Sequence, residues 1–370
     1  MMLHLRNKLV RRIMLAGAAV ASISLMATNV ARAELKEVKI GAGGSNFLDL
    51  SYYYLLLPGP LGYWEAEGYK VDVFPVSGSS EAAQQLAVDN LDFAQMSSSA
   101  IVQANTQHDL SVRAVVTNTT VGWGIAVKKD GPIRTVHDLK GKSVGIVSLS
   151  SGGIPLYKSF LADNGLDPDN DATLVATGVG AQALTALESD QVQGLMYWSS
   201  ALVGFQNAGA ELDILRDPSW SKLPDYTLAT SEKTFEERPE MVEGIARGVA
   251  KAMVFAAANP DCARKIQWEH YPDTKPTGVS EEAAVAGDLA IISTLLREQA
   301  NAASLNPNGN IAGVSVTAMG EYQDFLFDAG VLTKKVDPIG LVATDSAVFW
   351  TKVNNFDKAA IEAQAKECNF

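Results

Sequence analysis

The sequence predicts an α/β protein of two domains, built on mostly parallel sheets with a ligand cleft between the domains. Three observations lead there. From Val38 to Trp198, short apolar runs alternate with helical patterns in the order strand, loop, helix, which implies right-handed crossovers and parallel sheet. The predicted strands end repeatedly in Ser, Thr, Gly or Asn, at the carboxyl ends where open α/β sheets hold their ligands. Of the 370 residues, the 337 beyond Ala33 are long for one core and fit two domains.

The first 33 residues are predicted to be a signal peptide, with cleavage near Ala33 and a periplasmic destination. Arg6, Lys8, Arg11 and Arg12 form a basic head, residues 13–26 are mostly apolar, and Ala31-Arg32-Ala33 supplies the small-x-small cleavage pattern. Arg11-Arg12 suits an ordinary secretory head better than a twin-arginine signal. No later run reaches the roughly 18 apolar residues of a membrane span. Removing a segment with five basic residues and no acids takes the net charge from -12 to -17. Such an acidic chain argues against nucleic acid or an anionic membrane surface as partner. Of the two cysteines, Cys262 and Cys368, the sequence allows either a disulfide or two separate thiols.

Residues 39–42 read as the first strand, followed by Gly43 to Asn46 and an aromatic-rich helical segment over 47–57. Strand 71–76 ends in Ser77-Gly78-Ser79-Ser80, before a helix with Ala82, Ala83 and Leu86 on one face. Strand 91–95 ends near Ser97, Ser98 and Ser99. The extended run 111–127 is broken by Gly122 and Gly124, where the backbone bends, and is predicted to cross between domains. The stretch 143–165 holds an apolar strand, a Ser/Gly turn and a helix, whose free N–H groups suit an anion or another acceptor-rich ligand. Strand 172–176 ends in Thr177-Gly178-Val179-Gly180 and leads to helix 181–189; strand 194–198 ends before Ser199-Ser200. Residues 226–230 are predicted to recross to the first domain. Beyond Pro239 come helical stripes, Met241/Ile245/Val249/Met253, Val285/Leu289/Ile292/Leu296 and Met319/Tyr322/Leu326, then a loop over 301–310 and a last helix over 356–366. This half reads as scaffold.

Five segments carry a resemblance over nearly the whole chain: VKIGAGGSNF, PVSGSSEAAQQLAVDNLDFAQMSSSA, VHDLKGKSVGIVSLSSGG, TFEERPEMVEGIARGVAKAMVFAAANPDCARKI and FLFDAGVLTKKVDP. Together they resemble the periplasmic solute-binding proteins of ABC importers, in the group that includes sulfonate, taurine, nitrate and thiamine-pyrimidine binders. The resemblance implies a type II, Venus-flytrap fold, with domain one over 34–120 plus 228–370 and domain two over 121–227. It also implies a monomer that carries no cofactor or metal and passes a small-molecule ligand to an inner-membrane permease with its ATPase. Carried onto this sequence, the ligand-touching loops become Ser45, Asn46 and Phe47; Ser77, Gly78 and Ser79; Ser98; Trp123; Ser150, Ser151 and Gly152; Gly178, Val179 and Gly180; and Tyr197 and Trp198.

The chemistry of these residues narrows the expectation. TGVGAQA at 177–183 nearly matches a dinucleotide fingerprint, but the following strand ends in Met196-Tyr197-Trp198 instead of an acid, so it reads as a helix start facing the cleft. Trp123, Tyr197 and Trp198 can stack on a ring or pack in a core, and of the consecutive Tyr52, Tyr53 and Tyr54 at most two can reach a cleft. None of the strand-end loops holds Arg or Lys, which points to a mono-anionic or near-neutral organic solute, an aromatic carboxylate or sulfonate among them. An enzyme is not expected: His4, His108, His137 and His270 are scattered, no nucleophile elbow occurs, and no cysteine cluster exists. The alternatives are a ligand-sensing partner of a membrane receptor, or a thiamine-pyrimidine-type enzyme on the same fold.

Overall fold

The computed structural model describes residues 34–44, 47, 49–368 and 370. The expected signal peptide over 1–33, with Ser45 and Asn46, lies outside the described residues. Among the described residues, ten strands form two five-stranded sheets. The strands are β1 (Lys36–Ala42), β2 (Tyr69–Pro75), β3 (Phe93–Met96), β4 (Val112–Thr120), β5 (Gly124–Lys128), β6 (Lys142–Ile146), β7 (Ala172–Ala176), β8 (Gly194–Tyr197), β9 (Leu212–Leu215) and β10 (Pro224–Ser231). The first sheet runs β2-β1-β3-β10-β4 and the second β7-β6-β8-β5-β9.

The two orders are the same arrangement used twice. In each sheet three parallel strands are followed by one antiparallel strand, and the outermost strand reverses again. Four strands of each sheet therefore share a direction, and the mixed sheet owes its one reversed strand to the chain's crossing. β5 is the first strand laid down after the chain leaves the first sheet, and β10 is the strand on which it returns. A strand entering from the neighbouring lobe arrives from the opposite end, so it pairs antiparallel without a crossover helix. The extended run over 111–127 is divided by Val121 to Trp123 into β4 and β5, and β10 begins at Pro224.

The stretch 143–165 folds as read, β6 then the helix Gly153–Asp163. The stripe Met241, Ile245, Val249 and Met253 is buried in the helix Pro239–Ala258, and Met319, Tyr322 and Leu326 in the helix Val316–Asp328. A second, smaller core gathers Leu184, Leu187, Leu195, Tyr197, Leu202 and Phe205 around the second sheet. The loop expected over 301–310 is helical as far as Leu305, because Gln299 and Ala302 continue the buried face of the helix Glu281–Leu305. Cys262 and Cys368 are joined in a disulfide, tying the end of the helix Lys358–Glu367 to the helix Pro260–His270. Among the described residues no helix is long and apolar enough to cross a membrane.

Candidate ligand cleft between the two sheets

The strand-end loops of the two sheets face one another and are hydrogen-bonded across the gap. Ser80 N–H donates to Ser150 O at 3.2 Å, and the hydroxyls of Ser148 and Ser150 donate to Ser77 O at 3.0 and 3.2 Å. Ser99 Oγ donates to Gly152 O at 2.7 Å, and Ser51 Oγ lies 2.6 Å from Ser200 Oγ. Further out, Ser199 Oγ donates to Glu298 Oε2 at 2.9 Å and Asn207 Nδ2 to Gly287 O at 3.1 Å. Small hydroxyl residues at strand ends are what permits this: their short side chains let the backbones approach and supply both donors and acceptors. The fold is held closed by these contacts.

The closed cleft splits into two spaces that share Gly44, Tyr52 and Trp198. The smaller, about 20 Å³, is lined by Ser77, Gly78, Ser79, Trp123, Ser151 and Gly152 among others. The larger, about 510 Å³, reaches from the loop at Val179 and Gly180 past Tyr197 and Trp198 to the helix Glu281–Leu305. That volume is in the range of small-molecule sites. Its aromatic wall is a packed group: the Tyr197 and Trp198 centroids lie 5.5 Å apart, and Trp123 meets Trp198 edge-on at 5.7 Å.

The expected site residues thus divide. Val179, Gly180, Tyr197 and Trp198 line the larger cavity. Ser77, Gly78, Ser79, Ser151 and Gly152 line only the small space, and with Ser150 they form the seam between the lobes. Trp123 is 4 % exposed and its indole N–H donates to Asp225 Oδ2 at 2.8 Å, so its ring is fixed from behind. Ser98 lines neither space; its hydroxyl pairs with Thr227 Oγ1 at 2.8 Å and its N–H with Asp225 Oδ1 at 3.1 Å. Gly178 has φ +72°, and its carbonyl accepts the Tyr197 hydroxyl. Phe47 packs edge-on against Tyr52, with centroids 5.0 Å apart. Of the three tyrosines, Tyr52 lines both spaces, while Tyr53 and Tyr54 are buried.

Sequence reasoning missed the carboxyls. Asp49 and Asp288 line the larger cavity. Burial raises the Asp49 carboxyl, although the Ser51 hydroxyl and N–H, both donating to Oδ1, pull it down. Burial likewise raises Asp288 to about 7, with the neighbouring Asp49 charge adding to it. Glu298, at the crossing between the lobes, is also raised to about 7, chiefly by burial. The signal for Asp288 was present: it follows Ala284 and precedes Ile291, Ile292 and Leu295 at helical spacing, a carboxylate inside a buried face. The half of the chain read as scaffold therefore contributes cavity wall.

This architecture, two similar α/β lobes joined by crossing strands and closed over a cavity, is the periplasmic binding protein fold. A solved structure of the alkanesulfonate-binding protein of Xanthomonas axonopodis pv. citri bound to MOPS superposes with TM-score 0.59, at 16 % identity over 84 % of this chain and 99 % of that one. The family model described as NMT1/THI5 like matches residues 55–263, and the chain belongs to that family. A putative aliphatic sulfonates-binding protein of Bacillus subtilis (strain 168) is 27 % identical over 82 % of this chain and 85 % of its own length. A riboflavin-binding protein of Chloroflexus aurantiacus is 24 % identical over 64 % of this chain, the match spanning 65 % of that relative's length.

Proposed function

We propose that this chain is the solute-binding component of an ABC-type import system. It captures a small organic solute in the periplasm and delivers it to a membrane permease and its ATPase. The observation that carries the reading is the closed seam over an aromatic-walled cavity of about 510 Å³: strand-end loops from both sheets bond to one another and enclose a space of ligand size. Domain closure of this kind converts binding into a change of shape that a permease can read. The proposed division is 34–120 plus 224–370 for one domain and 121–223 for the other, which moves the expected boundary at 227/228 to just ahead of Pro224, where β10 joins the first sheet. The proposed solute contacts are the aromatic wall of Tyr197 and Trp198 and the loop at Val179 and Gly180. The solute itself is mono-anionic or near-neutral with a ring-bearing body, and the sulfonate- and riboflavin-binding relatives support both ends of that range.

The test is a titration of the purified protein with sulfonates, aromatic acids, pyrimidines and flavins, read by melting temperature and tryptophan fluorescence. A binder raises the first and changes the second, and mass spectrometry recovers it unaltered. Silence across the whole panel refutes the reading, and recovery of a converted product turns it into an enzyme.

A further inference from the structure

The larger cavity is electrostatically one-sided. Among the described residues, its lining includes Asp49, Glu188 and Asp288, and no Lys, Arg or His. Asp288 is 1 % exposed; its Oδ2 accepts the Trp268 indole N–H at 2.8 Å, and its Oδ1 has no hydrogen-bond partner among the described residues. A buried carboxyl oxygen without a donor is a costly group to leave unmet, and because Asp288 lines the cavity, a small turn of its carboxyl would let a ligand N–H satisfy it. We propose that this cavity takes a neutral or cationic organic solute whose N–H donors meet the carboxyls of Asp49 and Asp288, and that it prefers such a solute to sulfonates and carboxylates. This rests on the solute-binding reading above; it keeps the near-neutral end of the solute range given there and replaces the mono-anionic end with a cationic one.

The opposing charges nearby do not reverse the sign. Arg264 and Lys275 both stack on the Trp268 ring, with their charged groups 4.2 and 4.7 Å from its centroid. Each is engaged elsewhere, Arg264 with Asp261 at 2.8 Å and Lys275 with Glu281 at 2.7 Å. The helix Ala181–Glu188 starts at the cavity wall and brings the positive end of its dipole, equivalent to about half a charge. The helix Glu281–Leu305 starts there as well, but Ser280 caps it and Glu281 and Glu282 occupy its first turn. Burial keeps Asp288 able to hold a proton near neutral pH, so it can accept from a cation when ionised or donate to a neutral heteroatom when protonated. An anion entering the same space meets like charge wherever these carboxyls are ionised, in a poorly solvated site. The apolar remainder, with Leu184, Phe205 and Ile291, suits the body of a ring.

Three probes with one ring and three charges test this: benzamidinium, benzamide and benzenesulfonate, each at millimolar concentration, read by calorimetry and thermal shift. The expected order of affinity is benzamidinium, then benzamide, then benzenesulfonate. Asp288→Asn keeps the shape and the acceptor for Trp268, and is expected to weaken benzamidinium by about tenfold, one charge-assisted contact, while moving benzamide far less. Glu188→Gln controls for general loss of negative charge. Benzamidinium binding no better than benzenesulfonate, silence from both included, overturns the assignment, as does an unchanged benzamidinium affinity in Asp288→Asn. If the solute panel nevertheless contains a binder, the transport reading stands and only the charge selection falls; if the whole panel is silent, the transport reading fails first.

Discussion

Gly152→Ala is expected to leave the folded protein intact and to open the cleft. Gly152 has φ −66° and ψ −10°, an ordinary conformation for alanine, so the substitution strains no backbone. Its added Cβ, however, would lie 2.4 Å from Ser97 Cβ and 2.8 Å from Ser79 Oγ, both on the opposite lobe. Carbon atoms settle at about 3.5–4.0 Å, so the lobes must part by roughly 1 Å here. That movement stretches the bond from Ser99 Oγ to Gly152 O and the one from Ser80 N–H to Ser150 O. Overpacking of one methyl group costs about 1–3 kcal/mol, and each lost hydrogen bond about 1 kcal/mol. Taking about 2 kcal/mol as the net bias against the closed form, affinity for a solute that requires closure falls roughly 30-fold. The assay pairs calorimetry on any binder from the solute panel with small-angle scattering of the liganded protein, which should be more extended in the variant. Affinity within about threefold of the parent protein would mean that the close approach at Gly152 does not govern closure. So would an equal loss of stability in the unliganded protein, because the contact would then belong to the fold and not to closure.

Reducing the disulfide, or Cys368→Ser, releases a loop with a sequence separation of 106. Chain entropy puts that loss at about 4.7 kcal/mol, so an unchanged urea midpoint would contradict it. The stability of the protein should fall as pH rises from about 4 to about 7. Asp288, whose carboxyl burial lifts from the ordinary 3.8 to about 7, binds more protons folded than unfolded across that window. Its share is up to about 4 kcal/mol, fully present below the unfolded pKa and gone above the folded one. Asp288→Asn should reduce the slope, leaving the parts due to Glu298, Asp49 and Asp225, and a smaller one from Asp163, all of which burial shifts in the same direction. Ser199→Ala removes the hydroxyl that Glu298 accepts across the lobes, and should weaken solute affinity about fivefold with little change in unliganded melting. Trp198→Ala should cost at least about 1 kcal/mol of affinity if the solute's ring lies on that wall; affinity unchanged in titration would return Trp198 to a packing role.

What the sequence determined by itself is what depends on near neighbours along the chain. The alternation of apolar runs with helical stripes fixed the α/β architecture, since strand and helix periods are local properties. The small hydroxyl residues at strand ends marked the seam, because Ser77 to Ser80, Ser97 to Ser99 and Ser148 to Gly152 sit where the strands stop. Tertiary structure decided which of those residues touch the opposite lobe and which face the cavity. Ser98 and Trp123 turn to Asp225, which arrives 127 and 102 residues later, a partnership no local pattern encodes. The tertiary structure also put the helix Glu281–Leu305 beside the cavity. That happens only because the chain returns through β10 and lays its later helices against the first sheet, bringing Asp288 near Asp49, more than 200 residues away. The charge of a binding site is a sum over residues brought together in space, so the absence of Arg and Lys from the strand-end loops was legible in the sequence, whereas the presence of Asp49 and Asp288 required the fold.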